Sequence, residues 1–343
     1  PALRGGLLAL LAAVLFGLST PLVQQFGRGL GPFSTAALLY AGAALVALRL
    51  RRPPGREARL RRGDAARLLA MAACGAVIGP VALAWGLQHT SGTSASLMLA
   101  LEALFTAVLA WRLYGETMDR RVCVAMALLL AGSLLLVADQ GLAGHPQLLG
   151  LLAVLTATAA WGVDNTLSRG VAERDPGQVV LAKSALGAMA TAGLAFSAGE
   201  PLPTAGAVLA LLAIGASGYG LSLRFYLLAQ RAFGVARTGS VFAFAPFIGA
   251  LGAFAMGERT AGILLPIGGV LMLAGVLLHL AERHQHPHLH EALSHEHAHR
   301  HEDGHHAHTH DPVVEGSHSH AHLHAPARHA HAHVPDAHHL HPH

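Results

Sequence analysis

Charged residues are the class this sequence has least of: Asp, Glu, Lys and Arg make up 12% of its 343 residues, whereas soluble domains hold about a quarter. The two cysteines, Cys74 and Cys123, both lie in apolar runs, which excludes a disulfide framework and a cysteine-based zinc site. The sequence contains no GxxxxGK[ST] loop and no acid or histidine pair with catalytic spacing in its apolar runs, so no enzyme is predicted. Aromatic residues are 5% of the chain, and no basic run with interleaved aromatics points to nucleic acid.

Hydrophobic residues, at 53%, are in large excess. They form ten runs of about the length that spans a bilayer, and their many small residues allow close helix packing in lipid. The sequence therefore predicts an all-α integral membrane protein whose surroundings are the lipid bilayer. The predicted spans are residues 5–25, 33–50, 66–88, 93–114, 121–138, 148–168, 178–198, 206–229, 236–256 and 261–281.

An internal repeat relates the two halves of the chain. GTSASLMLALEALFTAVLAWRLYGE (92–116) is echoed by GVARTGSVFAFAPFIGALGAFAMGE (234–258), and one constant spacing, which we call the repeat offset, separates both their first and their last residues. Repeated apolar helices are typical of transporters built from two similar halves. An odd number of helices per half inverts the second relative to the first, so we predict two inverted five-helix repeats, with a substrate cavity between them. The predicted units are residues 1–140, 141–283 and a tail, 284–343.

Arginines mark every second loop. They cluster from Arg49 to Arg67 and recur at Arg120, Arg169 and Arg231, which predicts that these loops and both chain termini are cytoplasmic in a bacterial inner membrane. The first run begins at Arg4, as a secretory signal would, but it is longer than a signal core and has a counterpart at 148–168.

Ionisable groups inside predicted spans are costly and therefore mark candidate sites. Glu102, near the middle of the fourth span, is expected either to face the cavity, where it binds cations, takes up a proton or pairs with a base, or to be a structural carboxyl. A second group, Asp164, Lys183 and Arg224, is expected at one depth, where its members neutralise each other or attract an anion; snorkelling is the alternative for Lys183. Trp161 either anchors the interface or lines the cavity. The candidate substrate-binding residues are Glu102, Trp161, Asp164, Asn165, Lys183, Tyr219 and Arg224.

The tail has a different composition, with 23 of the 26 histidines. Such a polar, low-complexity segment is predicted to be disordered. Its His-x-His spacing favours several weak divalent-metal sites for zinc, nickel, cobalt or copper; a pH-responsive tail is the alternative. The candidate ligands are His284, His286, His288, His290, His295, His297, His299, His301, His305, His306, His308, His310, His318, His320, His322 and His324.

The repeat resembles the fourth helix of an EamA domain of the drug/metabolite transporter superfamily. The similar segments are residues 101–107 and 245–250, and 161–169, 175–176, 219–223 and 236–240 are similar to a bacterial subgroup with a His-rich tail. The resemblance implies ten helices, both ends in the cytoplasm, and export or exchange of small solutes. One departure is Ala103, where the family often has a helix-kinking proline.

Two functions follow. The first is secondary-active transport, most simply export, of a small metabolite, a drug-like solute or a divalent metal by alternating access, with no required cofactor. The single mid-span acid disfavours free metal as the cargo. The alternative is a membrane-anchored metal-binding or sensing protein, although an anchor does not need ten helices. Monomer and homodimer are both left open.

Overall fold

The fold is described from a computed structural model that covers residues 2–50, 58–114, 120–143, 145–171, 174–233, 235–259, 262–280, 284–290, 293–299, 318–324 and 327–333. Up to residue 280 the described chain is helical, and we number its helices α1 to α10 in chain order. Six of them are continuous: α1 (Ala2–Phe26), α2 (Pro32–Arg49), α5 (Arg120–Ala143), α6 (His145–Ser168), α7 (Pro176–Ser197) and α10 (Leu264–Leu280).

The other four helices change geometry part-way. Helices α3 and α8 each contain a π-helical segment, in which each backbone hydrogen bond spans one residue more than in an α-helix. Helices α4 and α9 are each interrupted by a tight turn. Their pieces are Ala65–Ala72, Ala73–Ile78 and Gly79–Leu87 in α3; Gly92–Met98, Leu99–Leu101 and Glu102–Tyr114 in α4; Ala205–Ile214, Gly215–Leu221 and Ser222–Phe233 in α8; Val235–Phe242 and Ala245–Ala255 in α9.

Eight helices of the described chain, α1 to α8, are long and apolar enough to cross a membrane, and two shorter apolar helices lie at Ala245–Ala255 and Leu264–Leu278. Large apolar side chains point outwards along them, with Leu134 59%, Met189 65% and Val270 66% exposed. Such a surface is a liability in water but matches the hydrocarbon of a bilayer. The predicted membrane protein is therefore confirmed.

The most extensive contacts between helices have counterparts five helices further along the chain. Helix α1 packs against α8 and α9, and α6 packs against α3 and α4 in the same way. Helix α2 contacts α8 as α7 contacts α3. In three further pairs the two helices are each other's counterparts: α2 with α7, α4 with α9, and α5 with α10. The helices of the second half thus repeat the packing of the first.

The irregular segments also repeat. The π-helical segments of α3 and α8 begin at Ala73 and Gly215, which the repeat offset separates. The second piece of α4 begins at Glu102 and that of α9 at Ala245, within one residue of the same offset. Pro246 lies in the first turn of its piece, where a missing N–H costs nothing. The break in α4 forms although Ala103 stands where a proline was expected, so a proline is not needed for it.

The tail differs from the disordered segment we predicted. The structure contains four strands in it: β1 (His284–His290), β2 (Leu293–His299), β3 (His318–His324) and β4 (Ala327–His333). Antiparallel pairs join β1 to β4 and β2 to β3, in a register that pairs His297 with His320. The physical reason is that His-x-His alternates with the period of a strand, although a two-stranded ribbon alone is only marginally stable.

Candidate functional site

The centre of the helix bundle holds a buried ion pair. Lys183 on α7 donates from Nζ to Oδ2 of Asp164 on α6, and the two residues are 6% and 5% exposed. The alternative that Lys183 snorkels to the membrane surface is therefore wrong: its ammonium is inside the protein. Because an uncompensated buried charge is strongly destabilising, the loss of either side chain would be costly for the fold.

The π-helical segment of α3 supplies the backbone that surrounds this pair. The carbonyl oxygen of Gly75 accepts a hydrogen bond from the Tyr40 hydroxyl and another, of 3.0 Å, from Trp161 Nε1. A Cβ on Gly75 would run into the Asp164 carboxylate and lie 2.7 Å from Lys183 Nζ. The absence of a side chain at this position thus makes room for the ion pair.

Aromatic rings border the site on the remaining sides. The Phe16 centroid lies 5.9 Å from that of Trp161 and 6.0 Å from that of Tyr219, and the Tyr40 and Tyr219 centroids are 5.6 Å apart. Tyr40, Trp161 and Tyr219 are all buried. The interface-anchoring role is therefore wrong for Trp161, whose indole lies in the protein interior.

Glu102 is linked to the same centre through Asn165. The Asn165 amide donates from Nδ2 to Glu102 Oε1, and Asn165 follows Asp164 directly in α6. Asn165 is an exposed residue, whereas Asp164 is buried. Two acids therefore lie near each other where α4 meets α6, one inside the packed centre and one at its edge.

Arg224 is not part of this centre, contrary to the group we predicted. Its Nη1 donates to the carbonyl oxygen of Leu50, at 2.8 Å, just beyond the last turn of α2. A cation suits the negative end of a helix dipole. The sequence predicts the position of Arg224 along its helix, but it does not predict the side of the helix from which the guanidinium projects.

Three residues of the centre were not predicted: Phe16, Tyr40 and Gly75. Tyr40 carried a usable signal, since it is the polar-tipped aromatic in the otherwise apolar run 36–48. Gly75 and Phe16 carried none, because glycine and phenylalanine are ordinary inside membrane helices. Their importance follows only from the helices they face.

Two glutamates of the second half close one end of the bundle. We call it the arginine-poor end, and its loops are residues 27–31, 88–91, 198–204 and 256–259. Glu258 accepts from Gly92 N at 2.7 Å, from Thr93 N at 2.7 Å and from Thr93 Oγ1 at 2.6 Å. Glu200 accepts from Phe33 N at 3.1 Å and from Ser34 N at 2.7 Å. Carboxylates at these helix N-termini satisfy backbone N–H groups that have no partner in the helix.

The opposite end, which carries the loops marked by arginine, is held by other contacts. Arg174 Nε and Asp64 Oδ2 form an ion pair of 2.9 Å, and Asp175 N donates to Ala58 O at 2.7 Å. The Asp175–Ala58 contact is the counterpart, displaced by the repeat offset, of the Phe33–Glu200 contact. We call this side the arginine-rich end.

In the described residues, the extensive packing between the broken helices α4 and α9 lies at one of the two ends. The first piece of α4 packs against the second piece of α9 at the arginine-poor end. Towards the arginine-rich end, the second piece of α4 packs against α6 while the first piece of α9 packs against α1 and α8. The two breaks thus lie where α4 and α9 begin to separate.

The family model of the EamA-like transporter family matches residues 3–138 and again 148–281. The chain belongs to the EamA-like transporter family. The two matches cover both halves of the bundle, so it is a multi-pass membrane transporter. A curated relative, an "Uncharacterized transporter" from the archaeon Methanothermobacter thermautotrophicus, is 26% identical over 293 residues, which are 78% of this chain and 83% of that protein. One crystal structure, 20% identical, superposes with a TM-score of 0.55 over 81% of this chain and 97% of the other, and supports the fold.

The metal prediction rests on the tail histidines, whose side chains lie outside the described residues. Among the side chains that the structure describes, no group of three or more His, Cys, Asp or Glu residues is arranged to hold a metal ion. The metal sites of the tail therefore stay a prediction.

Proposed function

We propose that this transporter moves a small organic solute by alternating access between two inverted five-helix repeats, with a centre formed by Glu102, Trp161, Asp164, Asn165, Lys183 and Tyr219. The observation that carries the proposal is the buried polar centre itself. It is built from both halves, with α1, α2, α3 and α4 from the first and α6, α7 and α8 from the second. A midplane site between inverted repeats is what alternating access requires.

The repeated contacts support ten membrane-crossing helices. Helices α9 and α10 are short in the described chain, but they pack as counterparts of α4 and α5, which are long enough to cross. We infer from the arginine-rich loops that their end of the bundle, with both termini, lies in the cytoplasm of a bacterial inner membrane. The arginine-poor end, where α4 and α9 meet, then faces outwards, so this conformation is closed to the outside.

A divalent metal is the weaker choice of cargo. The described centre offers two carboxylates, Glu102 and Asp164, and an ammonium, Lys183, occupies one of them. Hard divalent cations take six or more oxygens in the case of calcium and an octahedral set in the case of magnesium. An organic solute needs only a few directed polar groups in an apolar pocket, which matches the aromatic surround.

The native cysteines give a direct test of alternating access. In a Cys123→Ser protein, Cys74 on the π-helical segment of α3 is the only thiol, and it is half-buried beside the centre. A membrane-impermeant maleimide should label Cys74 from the cytoplasmic side of inverted vesicles faster than from the outside of right-side-out cells. Addition of a transported solute from a counterflow screen should change both rates. Equal labelling from both sides, unaffected by any solute that is exchanged, would contradict the proposal.

The second candidate, a membrane-anchored metal sensor, is favoured by one observation, the histidine-rich tail. In that case the helices would not exchange solute at all. Counterflow in proteoliposomes, with the full chain and with residues 284–343 removed, separates the two functions. We infer that the tail binds zinc, nickel, cobalt or copper and regulates, feeds or buffers the transporter, and that both chains exchange solute.

A further inference from the structure

The central ion pair leaves one of its oxygens unused. Lys183 Nζ donates to Asp164 Oδ2, but Asp164 Oδ1 is buried and has no hydrogen-bond partner among the described residues. A carboxylate oxygen accepts hydrogen bonds and cannot donate, and a buried acceptor without a donor is unfavourable. Asp164 Oδ1 is therefore suited to accept a hydrogen bond from a solute with N–H donors.

The charges that face the pair leave no surplus of positive charge. Tyr40 on α2 donates to Gly75 O and Cys74 precedes Gly75 in α3; both are uncharged types at neutral pH, and Glu102 on α4 adjoins the pair through Asn165. The described centre therefore sums to one negative charge when both carboxylates are ionised, and to zero when Glu102 holds a proton. Arg224, which would have favoured an anion, is bonded to Leu50 instead. A cation is attracted when both carboxylates are ionised, and an anion is attracted in neither state.

Aromatic rings strengthen the same preference. Tyr40 and Trp161 both donate to Gly75 O, and the Cβ position of Gly75 abuts the Asp164 carboxylate. Both rings are therefore fixed within reach of the carboxylate before any solute binds. Aromatic faces attract ammonium and guanidinium groups, most strongly where water is excluded.

Two cations held at one buried carboxylate repel each other, and in this conformation the cation at Asp164 is Lys183. We propose that the Asp164 site binds a monovalent organic cation with N–H donors, in exchange for the ammonium proton of Lys183. This inference rests on the proposed function, since it assigns the solute class and the coupling of the same centre.

The exchange follows from the loss of the counter-charge. When the solute cation takes Asp164, Lys183 is left buried beside a second cation, a situation that favours its neutral form. One Nζ–H bond breaks, its electron pair stays on Nζ, and the proton passes to water that enters with the solute. One positive charge enters the centre and one leaves it. An inward proton gradient would then drive export of the cation.

The test uses three probes that share an aromatic body and differ in charge: benzylguanidinium, benzylurea and phenylacetate. Each is titrated calorimetrically into the purified full-length protein, in two buffers of different ionisation enthalpy, so that protons released per bound probe are counted. Benzylguanidinium should bind in preference to the neutral and anionic probes and release about one proton per site.

Three variants assign the chemistry. Asp164→Asn should weaken benzylguanidinium binding roughly 10- to 100-fold, because a charge-assisted hydrogen bond is lost. Lys183→Arg keeps a cation beside Asp164, but a guanidinium is not deprotonated in proteins, so this variant should bind benzylguanidinium more weakly and release no proton. Asp139→Asn, a change of another carboxylate near the end of a membrane span, should behave as the unchanged protein. Gel filtration and helical circular dichroism confirm that each variant is folded.

The inference is overturned if phenylacetate binds better than benzylguanidinium, if benzylguanidinium fails to bind at millimolar concentration, or if it binds without proton release. It is also overturned if Asp164→Asn binds as well as the unchanged protein. The failure of the proposed function looks different: no solute in the counterflow screen would be exchanged, and Cys74 would be labelled equally from both sides.

Discussion

Among single residues, the one without a side chain organises the centre. Gly75 gives its carbonyl oxygen to Tyr40 and Trp161 and its empty Cβ position to the Asp164–Lys183 pair. The carbonyl is accessible because it lies in a π-helical segment, where the regular ladder of hydrogen bonds is disturbed. The charged residues are conspicuous in the sequence, but their pairing depends on this glycine.

Replacement of Gly75 by alanine should abolish most transport without unfolding the protein. The added methyl would meet the Asp164 carboxylate and lie 2.7 Å from Lys183 Nζ, so the pair must separate or α3 must move. We expect solute exchange in proteoliposomes to fall at least about tenfold, as expected for displaced binding groups. Gly193→Ala on α7 is the matched control, because nothing lies within 4 Å of its Cβ position. Equal activity of the two variants would show that the Gly75 contact is unimportant.

The same residues show what a sequence can and cannot predict about a site. The high cost of a charge in a membrane marks Asp164, Lys183 and Glu102 as candidates from sequence alone. Whether Lys183 pairs with Asp164, and whether Arg224 joins them, depends on the rotation of α6, α7 and α8 about their own axes. An apolar run that is buried on one side and faces lipid on the other has little periodicity, so that rotation is not readable.

Among the helices, the breaks are more informative than the regular parts. The breaks in α4 and α9 lie where these two helices stop packing against each other; beyond them α4 continues along α6, and α9 along α1 and α8. The internal repeat was visible in the sequence, and so were the positions of the long helices, because length and apolarity define them. The π-helical segments were not visible, since Ala-Cys-Gly-Ala-Val-Ile reads as ordinary helix.

A larger residue at Gly249 should keep the arginine-poor end from closing. A Cβ there would lie 2.7 Å from Gly17 O and 2.8 Å from Ser96 Oγ, where α9 crosses α1 and α4. In Gly249→Ala, the maleimide reaction of Cys74 from the outside should therefore become faster, and solute exchange slower. The control on the same helix is Gly239→Ala, with open space around its Cβ position. If Gly249→Ala left both rates unchanged, the crossing would not be a gate.

In the whole molecule, the duplicated frame holds chemistry that is not duplicated. Glu102 aligns with Phe244 in the second half, and the residues aligned with Asp164 and Lys183 at the repeat offset are Leu22 and Ala41. Under the proposed alternating access, two halves with equivalent packing can interconvert between two states of similar stability. The ion pair needs to be present only once, at the centre that both states share.

The tail is attached to this frame but should not be part of its transport cycle. Its strands pair with each other, β1 with β4 and β2 with β3, and it follows α10, which packs mainly on α5, outside the polar centre. Removal of residues 284–343 should therefore leave solute exchange in proteoliposomes within about twofold of the full chain, and benzylguanidinium binding unchanged.

By contrast, calorimetric titration with nickel, cobalt and zinc should show several weak sites in the full chain and none in the truncated one, because imidazole ligands at His-x-His spacing are then lost. A full chain with His-to-Gln changes throughout the tail keeps its length and is the matched control. If the truncated chain exchanged no solute while this control did, the prediction would be wrong, because transport would then depend on the presence of the tail but not on its imidazoles.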